Sequence, residues 1–146
     1  MAVKYFTQLG LDNVVINTFN LNESYGTKEG VYSENTAKEY LANSFNTTPD
    51  RFAEYSPNGS FRIRSASIGG TYDFNNNVFI NAKPYDSWTS TGAPNFDWEP
   101  PVAQPVSSEG SAILWKEENS RWQQTLPNGT SQYWDPNTSS WITFTI

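Results

Sequence analysis

Three carboxylates in the middle of the chain are the first candidates for chemistry. Asp97 and Glu99 stand two residues apart in a Trp- and Pro-rich stretch, with Asp86 a little upstream. If that stretch is extended, the spacing puts Asp97 and Glu99 on one face. A glycosidase builds its acid–base pair from two such carboxylates. A sugar cleft, however, takes a far larger scaffold than 146 residues, and solvated loop carboxylates are the simpler reading. Asp12, Asp73 and Asp135 each open a turn-like segment. Asp and Asn oxygens suit calcium, but no Asp-x-Asp-x-Asp run with a terminal Glu follows, so capping of turns is the better use. Gly69-Gly70 is followed by neither Lys-Ser/Thr nor a helical pattern, which excludes a phosphate loop and leaves a bulge or tight bend. No cofactor or metal site is expected.

Two absences narrow the chemistry further. The chain has no histidine and no cysteine. It therefore lacks the commonest general base, the commonest metal ligand and the commonest strong nucleophile. A Ser-His-Asp triad, a thiolate zinc site and a disulfide framework cannot be built. The expected class is a binding or structural module rather than an enzyme.

Tryptophan is the other conspicuous residue type. The chain holds nine Phe, eight Tyr and six Trp, and each such ring buries roughly 150–250 Å². A disordered chain is poor in aromatics, so a folded core is expected. Tyr72 and Phe79, Trp115 and Trp122, and Trp134 and Trp141 each stand seven apart around a polar, turn-prone segment. This recurrent unit reads as strand, turn, strand, with its two aromatics facing each other across the ladder. Trp88 to Trp98 reads as a longer variant. Small hairpins without disulfides need such cross-strand rings to hold together. Rings left on an outer face would form a flat platform for a sugar or a protein surface.

The elements that must position these residues follow from local pattern. Val3–Gln8 and Val14–Leu21 flank a turn and predict an opening hairpin. Ser33 to Thr36 is rich in N-cap types and predicts a helix over about 34–43, with Tyr40 and Leu41 on its buried side. Phe52–Tyr55 and Phe61–Arg64 alternate around Asn58-Gly59, which predicts a second hairpin. On such a strand Arg62 and Arg64 would share a solvated face. Ser67–Tyr72 leads into a further strand. Seven of the nine prolines lie from Pro84 onward, so Pro100–Pro105 should be extended and stiff. The five Asn-x-Ser/Thr sequons, at Asn22, Asn46, Asn58, Asn128 and Asn137, are read as turn chemistry. The resulting expectation is a mainly β, hairpin-rich small domain, sandwich or open barrel-like, with one short helix. Its body spans residues 1–105, and a Trp-rich hairpin tail spans 106–146.

The formal net charge is −6. This sign works against nucleic acid and against anionic membrane surfaces, both of which attract basic proteins. No stretch approaches the roughly 20 apolar residues of a membrane-spanning helix, and Met1–Tyr5 lacks the apolar run of a signal peptide. A soluble protein made in a cytoplasm is expected.

The central stretch carries a resemblance. Ile68-Gly69-Gly70-Thr71-Tyr72-Asp73, Val78-Phe79-Ile80, Lys83-Pro84-Tyr85-Asp86-Ser87-Trp88 and Trp98-Glu99-Pro100-Pro101-Val102 occur in order. With Lys4–Leu9, Asn13–Ile16 and Ser44–Thr48, this resembles small virion structural and accessory proteins of tailed phages of marine cyanobacteria and related aquatic bacteria. The similarity spans about residues 4–102, and the tail's paired tryptophans also recur in that family. Asn81-Ala82 stands where the family pattern has two prolines, and its histidine near Arg51–Tyr55 is missing. The resemblance implies a virion component synthesised in the host bacterial cytoplasm. It implies docking on the major capsid protein as a decoration or cement protein, or on tail or neck proteins. A second copy of the chain and a host glycan are further candidate partners, the glycan being the ligand of a carbohydrate-binding or tail-fibre adhesin module. The residues expected to contact a partner are Trp88, Trp98, Pro100, Pro101, Trp115, Trp122, Tyr133, Trp134 and Trp141.

Overall fold

β1 (Val3–Leu9) and β2 (Val15–Asn22) form the predicted opening hairpin. Its turn is a short 3-10 segment in which Asp12 and Asn13 take left-handed backbone, at φ 57° and 58°. The computed structural model describes residues 2–145. Two two-residue strands, β3 (Thr27–Lys28) and β4 (Val31–Tyr32), lead to helix α1 (Glu34–Phe45). Ser33 caps that helix: its Oγ accepts from the Thr36 amide at 3.1 Å, a bond that satisfies one orphan donor of the first turn. Asn46 closes it in left-handed conformation at φ 55°. The helix runs two residues beyond the expected Asn43, because Ser44 and Phe45 stay helical until that stop.

β5 (Phe52–Tyr55) does not pair with Phe61–Arg64. It pairs with β1, in a sheet of order β2-β1-β5. The Asn58-Gly59 turn forms, with Gly59 at φ 71°, but Arg62 and Ile63 follow at φ 56° and 60°. Left-handed backbone at a β-branched residue is incompatible with an extended strand, so the expected second hairpin is absent. β6 (Thr71–Asp73) and β7 (Val78–Ile80) make the first of the seven-residue units.

The three-stranded sheet is buried on both faces. On one, Phe6, Leu21 and Phe52 pack against Ala37, Leu41 and Ala42 of α1. On the other, Leu9, Val15 and Ala53 pack against Tyr72 and Phe79 of the β6–β7 hairpin. Thr7 is fully buried between apolar neighbours and satisfies its hydroxyl on the Ala53 carbonyl at 2.9 Å. Leu41 lies in this core as expected, but Tyr40 does not. It is 37% exposed and stacks on Tyr25 at 4.3 Å. Adjacent helical residues point about 100° apart, and the core stripe runs through 37 and 41 at the i, i+4 spacing, leaving Tyr40 on the flank. Gly69-Gly70 is the expected tight bend: Gly69 sits at φ 91°, and a Cβ on Gly70 would lie 2.5 Å from the Ile80 carbonyl oxygen.

The contacts divide the chain into two units. The first holds residues 1–82 and 93–97, the second 83–92 and 98–146. In the second, β8 (Thr89–Ser90) pairs with β9 (Trp98–Glu99). β10 (Ile113–Lys116), β11 (Arg121–Thr125), β12 (Ser131–Asp135) and β13 (Ser140–Phe144) form a four-stranded antiparallel meander in chain order. The expected 105/106 boundary falls inside this unit, because Trp122 Nε1 donates to the Val102 carbonyl at 2.7 Å and Trp141 Nε1 to that of Val106 at 3.2 Å. The mainly β expectation with one α-helix holds, and the described strands sort into five small antiparallel sheets.

Candidate functional site

The seven-residue units set the geometry of the tail sheet. Tyr72 pairs with Phe79, Trp115 with Trp122, and Trp134 with Trp141 as direct cross-strand partners. Their ring centroids lie 4.8, 5.3 and 5.4 Å apart, within the range of favourable edge and tilted aromatic contacts. Each unit turns through four residues and returns by way of a left-handed residue, Asn77, Ser120 or Ser139, at φ 57°, 50° and 52°. Asp73 and Asp135 open two of these turns by accepting from backbone amides two residues on, at 2.9 Å each. Three of the sequon asparagines act likewise: the side chains of Asn22, Asn58 and Asn128 accept from the amides of Ser24, Ser60 and Thr130.

Strand alternation and the observed register sort the tail sheet into two faces. Trp115, Trp122, Trp134 and Trp141 share one face. The chain's own 102–108 segment covers part of it, through the two indole bonds above and through Ser108 N donating to Gln124 Oε1 at 3.0 Å. Trp88 joins this face from outside the meander, 6.3 Å from Trp115 and 6.2 Å from Trp122. It does not pair with Trp98, whose ladder partner is Ser90. Glu117 secures that entry. It accepts from Ser87 N, Ser87 Oγ and Trp115 Nε1 at 2.9, 2.6 and 2.9 Å, and these bonds, the serine's foremost, hold its carboxyl below the ordinary range.

Trp115 and Trp122 are each 5% exposed, so these two expected contact residues are scaffold. Trp88, Trp134 and Trp141 are half-buried on the same face. Trp98 is half-buried with the Lys83 ammonium 5.9 Å from its ring. Pro100 is half-buried and Pro101 exposed. Tyr133 alone of the expected set stands on the opposite face. There it lies under the Arg121 guanidinium, 4.1 Å away, which also covers Phe144 at 4.9 Å. Ile142, paired with Tyr133, and the exposed Leu114 complete that face. A shallow groove of about 150 Å³ runs between β10 and β11, lined by Leu114, Lys116, Gln123 and Ser131 among others. Arg121, Ile142 and Phe144 were not singled out in the sequence. Their parity relative to the tryptophan pairs is the signal that places them together.

No protein-family model, curated protein or solved structure matches the chain.

A second polar constellation lies in the first unit, around Arg62. Its guanidinium grips both Glu34 oxygens at 2.8 Å and donates to the Glu54 carbonyl at 2.6 Å and to Asn77 Oδ1 at 2.8 Å. Glu34 in turn accepts from the Glu54 amide at 2.8 Å. Tyr32 donates to the Glu54 carboxylate, and the Tyr72 ring lies 5.0 Å from the guanidinium. Burial opposes the charge on Glu34, but Arg62 overrides it and holds the carboxyl below its ordinary value. Burial, aided by Glu54, pushes the Tyr32 phenol far above its ordinary range. Arg62 is thus an internal clamp, not the solvated strand face expected of it. Arg64 likewise turns inward, donating to the carbonyls of Phe79, Asn95 and Phe96 at 2.7–2.8 Å.

The carboxylates that opened the chemical case lie at the surface. Asp86, Asp97 and Glu99 are exposed. Among the described residues no cluster of three or more acidic side chains has metal-binding geometry, and no helix is long and apolar enough to cross a membrane.

Proposed function

We propose that this chain is a non-enzymatic structural accessory protein of a phage virion, a capsid decoration or cement protein that docks on the head surface. The observation that carries this reading is the two-sidedness of the tail sheet. One face packs its tryptophans into a scaffold, and the other presents Leu114, Arg121, Tyr133, Ile142 and Phe144 together. Tyr and Arg are enriched among the residues that dominate protein–protein binding energy. A guanidinium held against two rings is a preorganised anchor, with less side-chain freedom to lose on docking. The absence of histidine and cysteine supports a role without covalent chemistry. The resemblance over residues 4–102 supports the virion, and with it synthesis in the host bacterial cytoplasm. The major capsid protein is the partner of choice, neck or tail proteins being the other virion surfaces. Many copies on one symmetric particle need only modest affinity each.

The test is co-sedimentation of the full chain with purified phage heads. Tyr133→Ala and Arg121→Ala should each weaken retention roughly tenfold, about 1.4 kcal/mol, and Glu118→Ala in the exposed turn should not. Absence of the protein from particles would sink the proposal. Retention on oligosaccharide in place of heads would favour the adhesin reading instead.

A further inference from the structure

A strand at the edge of a sheet presents backbone N–H and C=O groups that need partners, and an unguarded edge recruits another strand. Several of this chain's strand edges carry guards. At β5 two side chains do the work of a neighbouring strand: Glu34 accepts from the Glu54 amide at 2.8 Å, and Arg62 donates to the Glu54 carbonyl at 2.6 Å. At the start of β2 the Gly69-Gly70 bend exchanges two backbone bonds with Val15, at 2.8 and 2.9 Å, and the rest of that strand carries Asn17, Asn20 and Asn22, a residue type depleted in strands. β10 ends in Lys116 and runs into Glu117 and Glu118, charges of the kind that discourage strand addition.

β13 has no such guard. Ser140-Trp141-Ile142-Thr143-Phe144 carries no charge, no proline and no glycine, and it forms the outer strand of its sheet. Among the described residues no backbone hydrogen bond reaches its outer edge. Its β-branched and aromatic residues suit strand pairing.

We infer that β13 pairs antiparallel with β13 of a second copy of this chain about a two-fold axis, joining two four-stranded sheets into one of eight strands. The occupant must itself be a strand, because only extended backbone matches an alternating row of donors and acceptors. A second copy fits because an uncharged strand opposes itself without like-charge repulsion. A two-fold, moreover, gives each copy the same bonds in return. Pairing centred on Ile142, the middle residue, sets Ile142 against the partner's Ile142 and Ser140 beside the partner's Phe144. Strand alternation then continues the face that carries Tyr133 and Ile142 from one copy into the next. This pairing uses the edge of the sheet and not its face, so its failure would leave head docking untouched.

The chain has no cysteine, so Ile142→Cys places a unique thiol on the proposed axis. Directly opposed strand residues lie about 4.5–5.5 Å apart at Cα, a separation that disulfides accept. Under mild oxidation the full-length Ile142→Cys protein should form a covalent dimer. Leu114→Cys, on the more exposed position of β10, should stay monomeric. The unmodified protein should sediment as a dimer at high micromolar concentration. Thr143→Lys should weaken that dimer at least tenfold while leaving the far-ultraviolet circular dichroism unchanged. A monomeric mass for the unmodified chain at its highest soluble concentration overturns the inference, as does equal cross-linking at positions 114 and 142.

Discussion

Arg62 and Glu34 lie 28 residues apart and meet in a two-pronged ion pair whose remaining bonds reach the backbone and side chains of two further elements. Bidentate guanidinium–carboxylate pairs of this kind are the strong ones. Removing one partner leaves the other partly buried and uncompensated, so Arg62→Ala should destabilise the first unit by roughly 2–3 kcal/mol, read as a shift of its denaturation midpoint. The pair also predicts a pH dependence. The Glu34 carboxyl is depressed below its ordinary value of 4.5 in the folded chain. Its contribution is therefore fully present above that unfolded value and is lost as pH falls through the depressed folded one. The thermal midpoint should drop as the solution is acidified below the ordinary Glu range, and Glu34→Gln should flatten that drop. An unchanged acid slope in Glu34→Gln would assign the dependence to other carboxylates.

At the level of elements the seven-residue unit governs the tail. Trp122 is nearly enclosed by Trp115 and Trp88 and is hydrogen-bonded through its indole nitrogen. Trp122→Ala should cost about 3–5 kcal/mol of the second unit's stability, measured by chemical denaturation. Ser120 returns the same hairpin at φ 50°, a conformation that disfavours any residue with a Cβ. Ser120→Gly is accordingly expected to stabilise the unit by up to about 1 kcal/mol, once the added freedom of the unfolded glycine is discounted. The pairing itself was legible in the sequence because ring, turn and ring all lie within eight consecutive residues. The capped helix was legible for the same reason. Arg62 and Ile63 were not, because the partner that draws Arg62 inward sits on a helix 28 positions away, and local alternation carries no trace of it. The place of Trp88 is hidden from local pattern for a similar reason: Glu117 anchors its neighbour Ser87 to the Trp115–Trp122 hairpin, a contact 30 residues distant. The open face was only half legible. Tyr133 was identified by type, while Arg121, Ile142 and Phe144 required the register.

At the scale of the whole molecule, the contacts divide the chain elsewhere than at residue 105. Pro100–Pro105 signals a stiff, extended segment, but stiffness does not imply separation. Two indole donors instead hold Val102 and Val106 against the tail sheet. A Glu-specific protease should cut the exposed loop at Glu109, and the two fragments should still co-elute under native conditions and part only in denaturant. Immediate separation would restore the boundary near residue 105. The same division has an optical consequence. All six tryptophans, at 88, 98, 115, 122, 134 and 141, belong to the second unit, whereas six of the eight tyrosines, at 5, 25, 32, 40, 55 and 72, belong to the first. Indole emission therefore originates in the second unit, and the near-ultraviolet tyrosine signal chiefly in the first. The protein carries two intrinsic, spectrally separable chromophore sets, so an unlabelled sample can show in one titration whether its halves melt together or in turn.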